Sequence, residues 1–145
     1  MNEYKRPIQL RWADLDPNFH VRHSAYYDYA ANIRTEFISS NGVTPKLMIK
    51  EHFGPVLFRE EAVFKREIHY GDDLSINLKL LKVKRDYSRF SFVHEIIKAD
   101  GTVAAVITVD GAWIDTHLRK LTKPPEVVIA MTEAAPKHEN FEWID

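Results

Sequence analysis

The sequence predicts an α+β fold of about five antiparallel strands packed on one long helix. Three observations predict it. An apolar stripe at helical spacing occupies residues 26–37. Beyond Pro55 the apolar period changes from about 3.6 to about 2 residues. Two turn signals, Gly71-Asp72-Asp73 and Asp100-Gly101, then cut the second half into strand-length pieces.

Taken in order, Ile8 to Ala13 reads as a first strand, with Ile8, Leu10 and Trp12 alternating against Gln9 and Arg11. Asp14 to His23 follows neither period and is the first place to look for chemistry. Ser24 is the expected N-cap of a helix running to about Ser40. Tyr26, Tyr29, Ala30, Ile33 and Phe37 form its stripe, and Asn41-Gly42 supplies a left-handed stop. A shorter helix has Thr44 as cap, Pro45 at its first position and Gly54 as its end. A long strand is expected from Pro55 to Tyr70, with Val56, Phe58, Ala62, Phe64, Ile68 and Tyr70 on one face and Glu60 interrupting it. Leu74, Ile76, Leu78 and Leu80 mark the next strand, Ser88–Ala99 another, and Thr102–Ile114 the last. Glu126 to about Ala134 reads as a helix, and the final ten residues as a loose or partner-dependent tail. One domain is expected over 1–145, its core at about 5–130 and a tail at 131–145. A single helix cannot cover both faces of such a sheet, so a homodimer or homotetramer is expected.

The composition excludes several classes. With 145 residues, 45% of them hydrophobic, the chain can bury one real core and is not a disordered sequence. Twenty Lys and Arg stand against 21 Asp and Glu, so the positive excess needed to bind a nucleic-acid backbone is missing. The absence of cysteine removes disulfides, thiolate zinc sites and cysteine nucleophiles. No apolar run reaches the length of a membrane span, and a cytoplasmic location is expected.

The string Asp14-Leu15-Asp16-Pro17-Asn18-Phe19-His20-Val21-Arg22-His23-Ser24-Ala25-Tyr26 resembles the hotdog-fold thioesterases. The 4-hydroxybenzoyl-CoA thioesterase-like branch typically carries D-x-D-x-x-G-H-V-N-N there, and the acyl-ACP branch D-L-D-x-N-x-H-V-N-N. Asp14, Leu15, Asp16, Asn18, His20 and Val21 match the second, while His23 stands where an alternative form of the first has its histidine. Gly71-Asp72-Asp73-Leu74 resembles the family's G-D-x-L turn, and the likeness spans roughly residues 5–130. Phe19 departs from the usual glycine, and Arg22-His23 from the Asn-Asn pair.

The resemblance implies a hotdog fold, the sheet wrapped around one long central helix, and hydrolysis of an acyl-CoA thioester. Such a reaction needs an activated water or carboxylate nucleophile, with donors for the developing oxyanion. The resemblance gives the carboxylate role to Asp16; by spacing alone Asp16-Pro17 would simply open a turn. It joins Asn18 and His20 to the same network, where the plain alternative is a turn cap and a half-buried ring. His23 falls near the thioester or on the surface. The amides at the helix start, Ser24 and Ala25, are the expected oxyanion donors.

Glu67, in a stretch resembling the acyl-ACP branch's Y-R-R-E-C, is a possible network member or a solvent-exposed carboxylate. Tyr26 and Tyr27 are candidates to line an acyl pocket, or plain core. Lys82, Lys84, Arg85 and Arg89 are candidates for the coenzyme phosphates, or a solvated turn. His20 and His23 make only a weak metal pair for want of a third ligand, so no metal is expected. No cofactor is expected either, CoA being part of the substrate. An acyl-ACP substrate is the nearest alternative, a non-catalytic acyl-thioester binder the alternative of another class, and a dehydratase or isomerase a weaker one.

Overall fold

A computed structural model describes residues 3–145. The strands are β1 (Lys5–Ile8), β2 (Phe53–Phe64), β3 (Leu74–Asn77), β4 (Lys79–Lys84), β5 (Arg89–Lys98), β6 (Val103–Asp115), the two-residue β7 (Lys120–Leu121) and β8 (Lys137–Ile144). The helices are α1 (His23–Ser40), α2 (Pro45–Glu51) and α3 (Glu126–Ala134).

β1 lies earlier than expected. Asp14 explains the shift: its carboxylate accepts from the Arg11 amide at 3.2 Å, the Arg11 guanidinium at 2.7 Å and the Tyr29 hydroxyl at 2.9 Å. Those bonds draw Trp12–Asp14 into a 3-10 turn, and Trp12 faces solvent instead of the core. α1 carries the expected stripe, with Tyr26, Tyr29, Ala30, Ile33 and Phe37 all buried. Its N-cap is Arg22 rather than Ser24, whose hydroxyl is bonded to the Arg22 guanidinium instead. Gly42 at φ +90° follows the helix, as a left-handed stop requires. Thr44 caps α2 through the Leu47 amide at 3.2 Å, but the helix stops at left-handed His52, and Gly54 lies in β2.

The sheet has eight strands where about five were expected. β5 is its spine. β3 and β4 run antiparallel along one side of it, as one strand broken at Leu78, whose amide bonds the Tyr4 carbonyl at 3.0 Å. β6 runs along the other side, with His94 opposite Ile107, and β2 pairs with β6, placing Ala62 opposite Ile107. β1 extends the β3 side, and β8 pairs in parallel with β4. The segment expected as a loose tail is therefore mostly strand, held where Val83 pairs with Trp143. α3 spans the predicted residues and buries Val128, Ile129 and Met131.

β2 ends at Phe64, six residues before the expected Tyr70. The Lys65 and Arg66 amides both donate to the Ala104 carbonyl, at 2.8 and 3.0 Å, which ends the ladder with β6. The chain then turns toward the loop before α1: the Val21 amide bonds the Ile68 carbonyl at 2.9 Å, and His20 bridges His69. That switch of partners builds the site.

Candidate active site

Asp16 to His20 form a tight loop. The Asp16 amide donates to the His20 carbonyl at 2.8 Å, and the Phe19 amide to the Asp16 carbonyl at 3.0 Å. Asp16 Oδ1 accepts from the Asn18 and His20 amides at 2.9 and 3.1 Å. One carboxylate oxygen thus serves the turn, and no hydrogen bond engages the other among the described residues. Phe19, at the position where the resembling motifs carry glycine, sits at φ +62°, in the left-handed region. Its exposed ring lies 5.7 Å from that of Trp12, which is 5.6 Å from that of Tyr70.

A cavity of about 270 Å³ is lined by Asp16, His20, His23, Tyr26, Phe64 and Glu67, among others. Tyr26 is buried and stands edge-on to Phe64 with centroids 4.8 Å apart; His23 lies 5.1 Å from the same ring. Burial pushes the Tyr26 phenol up, and the Asp16 and Glu67 charges push it further, so the wall beside Asp16 stays neutral. α1 begins at His23, and among the described residues the His23 and Ser24 amides have no hydrogen-bond partner. The Ala25 amide is engaged by the Arg22 carbonyl at 3.1 Å and is not a free donor.

The other candidates fall elsewhere. Asn18 is exposed and contributes its backbone amide to the loop, but does not line the cavity. Tyr27 is half-buried and outside it. Lys82, Lys84, Arg85 and Arg89 stand at the far end of the sheet: Val83 pairs with Phe90 and so with Gly111, whereas Phe64 pairs with Ala105. Six residues of β6 separate the two levels, roughly 20 Å. Lys82 and Arg85 are also occupied, by Glu142 at 3.6 Å and Asp145 at 3.1 Å.

Two residues matter to which the sequence assigned no role: Asp14, though it matches the motif, and His69. Asp14, fully buried, is the anchor of the loop's entry. Burial alone would raise its pKa, but the Arg11 and Tyr29 hydrogen bonds outweigh that and hold it below the usual carboxylate range. His69 faces His20, ring centroids 4.6 Å apart, and Glu67 Oε2 lies 3.6 Å from His20 Nε2 and 3.7 Å from His69 Nε2. His20 therefore gains a third potential ligand, though not through His23. Only the bridge between residues far apart in sequence makes His69 a neighbour, and no local signal announces it. No helix among the described residues is long and apolar enough to cross a membrane.

The sequence profile of the thioesterase-like superfamily matches residues 10–131. A protein of Aquifex aeolicus strain VF5 with a provisional esterase name is 29% identical over 105 residues, 72% of this chain and 79% of its own. A Staphylococcus aureus protein solved in complex with CoA superimposes with a TM-score of 0.85 at 20% identity, covering 94% of this chain and 88% of that one. A 1,4-dihydroxy-2-naphthoyl-CoA thioesterase from Synechocystis does so with a TM-score of 0.81 at 20% identity, covering 92% and 97%. These likenesses identify the fold as that of the hotdog thioesterases, as the motif implied. With the profile spanning most of its length, the chain belongs to the thioesterase-like superfamily.

Proposed function

We propose that this protein hydrolyses an acyl-CoA thioester to the free acid and CoA, with Asp16 as general base. The observation that carries the reading is one cavity lined by a carboxylate with one uncommitted oxygen, an imidazole at His20, and His23 at the start of α1, where the His23 amide and that of the adjoining Ser24, itself outside the lining, are unbonded. The family and the CoA-bound structural neighbour support coenzyme A as the leaving group.

The free Asp16 oxygen takes a proton from water as the water attacks the thioester carbon. The His23 and Ser24 amides, backed by the helix dipole, receive the oxyanion. Collapse expels the CoA thiolate, which receives the proton Asp16 drew from the water, relayed through the His20 imidazole in the same cavity, so both side chains end as they began. Direct attack by the same free oxygen is the alternative, since in either case Oδ1 keeps lone pairs for the two loop amides. Single turnover in heavy-oxygen water tests this step: label enters the first acid released if water attacks, whereas label missing from that acid and found in the protein shows an Asp16 anhydride opened at the aspartyl carbonyl and contradicts general-base action. Tyr26 and Phe64 wall the acyl side, and no resident cofactor is required.

The active unit is proposed to be a homo-oligomer joined along β2. Among the described residues β2 pairs with β6 alone, and it exposes Leu57, Phe58, Val63 and Phe64. The deciding assay is thiol release from a panel of aliphatic and aromatic acyl-CoAs. Release from at least one is expected; binding of acyl-CoA with release from none would replace the hydrolase with a binder.

A further inference from the structure

We propose that His20, Glu67 and His69 form a site for a divalent transition-metal ion of the zinc type at the edge of the Asp16 cavity. Two imidazoles and one carboxylate are a donor set suited to zinc rather than to magnesium or calcium, which take oxygen ligands. One donor atom from each residue lies within 4.8 Å of the other two. Ligands about 2.0–2.1 Å from a tetrahedral zinc are about 3.3 Å from one another. The two contacts to Glu67 Oε2, at 3.6 and 3.7 Å, therefore need only a few tenths of an ångström of closure. They are also too long for hydrogen bonds. One carboxylate oxygen thus faces two ring nitrogens at close to the separation of two ligands on one ion.

The backbone keeps the imidazoles together. His20 and His69 sit opposite each other in an antiparallel bridge, which sends both rings to the same side. The bridge is braced by the Val21–Ile68 bond at 2.9 Å and by the His69 amide on Asp72 Oδ2 at 2.9 Å. Three protein ligands leave a coordination position for water. Among the described residues no other such group of three occurs. The binding claim does not depend on the hydrolase reading. Its consequence does: an ion on the His20 ring withdraws that ring from proton transfer, so zinc suppresses hydrolysis and a chelator restores it.

The test titrates the chelator-treated protein with Zn²⁺ by calorimetry and with Co²⁺ by visible absorption. One ion per chain is expected. His69→Ala and Glu67→Gln should each weaken binding by at least about tenfold, the lower range for disturbing even an outer partner of a metal ligand. His52→Ala should bind as wild type does; it breaks the other close histidine pair, His52 with His117, whose rings are 3.9 Å apart. Failure of the wild type to bind either ion overturns the proposal, as does undiminished binding by His69→Ala or loss of the ion in His52→Ala. Where hydrolysis is measurable, Zn²⁺ should inhibit the wild type but not His69→Ala, each rate taken relative to the same protein without metal; retained inhibition would contradict the link to His20. If no acyl-CoA is cleaved, the titrations still decide the site.

Discussion

Asp14 and Asp16 stand two residues apart and differ in what their oxygens meet. Asp14 is sealed against Arg11 and Tyr29, while Asp16 spends one oxygen on its own loop and turns toward a cavity. Asp14→Ala strands the buried Tyr29 hydroxyl and should cost about 1–3 kcal/mol in denaturant unfolding. Because its carboxyl is held low in the fold, the stability Asp14 supplies is complete above its unfolded value near 3.9. It is lost only as pH falls through the lower folded one. His94 acts at higher pH. It is fully buried, with Arg34 3.1 Å from one ring nitrogen and the Asn77 carbonyl 3.0 Å from the other. Burial, then the Arg34 charge, push its pKa down to about 3. The unfolded chain takes up that proton near pH 6.5 and the folded chain does not, so the stability it confers is complete above that pH and drains away below it. Between pH 6.5 and 4 the slope should approach about 1.4 kcal/mol per pH unit. His94→Gln should flatten it in unfolding titrations; an unchanged slope would assign the acid sensitivity elsewhere.

At the scale of elements, those read from their own periodicity were found nearly in place. The stripe of α1 needed only helical spacing, β5 and β6 only alternation and the Asp100-Gly101 turn, and α3 was legible to the residue. The failures share a cause in long-range partners. Residues 12–14 left the strand because Arg11 and Tyr29 hold Asp14, and β2 stopped early because one carbonyl, Ala104, takes two amides. β8 exists because β4 offers a parallel edge, which its thin apolar pattern (Phe141 and Trp143) could not announce. For the site, the Asp16 loop was legible as a motif, whereas His69 was brought in by pairing alone. Gly111 shows how tightly β2, β5 and β6 are set. A Cβ there would lie 2.6 Å from Phe90 Cζ and 2.7 Å from the Val56 carbonyl oxygen. Gly111→Ala should therefore destabilise by about 1–3 kcal/mol despite its higher strand propensity, as thermal unfolding would register.

For the whole molecule, the sheet stops at β2 with apolar side chains uncovered, Phe58 at 57% exposure and Phe64 at 47%. Phe64 also walls the Asp16 cavity, so whatever covers β2 borders the site. Light scattering should give a dimer or a multiple of one. Leu57→Glu combined with Val63→Glu should shift it toward monomer and lower hydrolysis; a wild-type monomer with full activity would refute the shared edge. The Asp16 carboxylate is proposed to carry the chemistry, and one substitution isolates it. Asp16→Asn keeps an Oδ1 that can accept from the Asn18 and His20 amides, and removes only the charge and basicity. Steady-state thiol release should fall at least about 100-fold in kcat while the melting temperature stays close to that of wild type. Equal kcat in the two proteins would contradict the account.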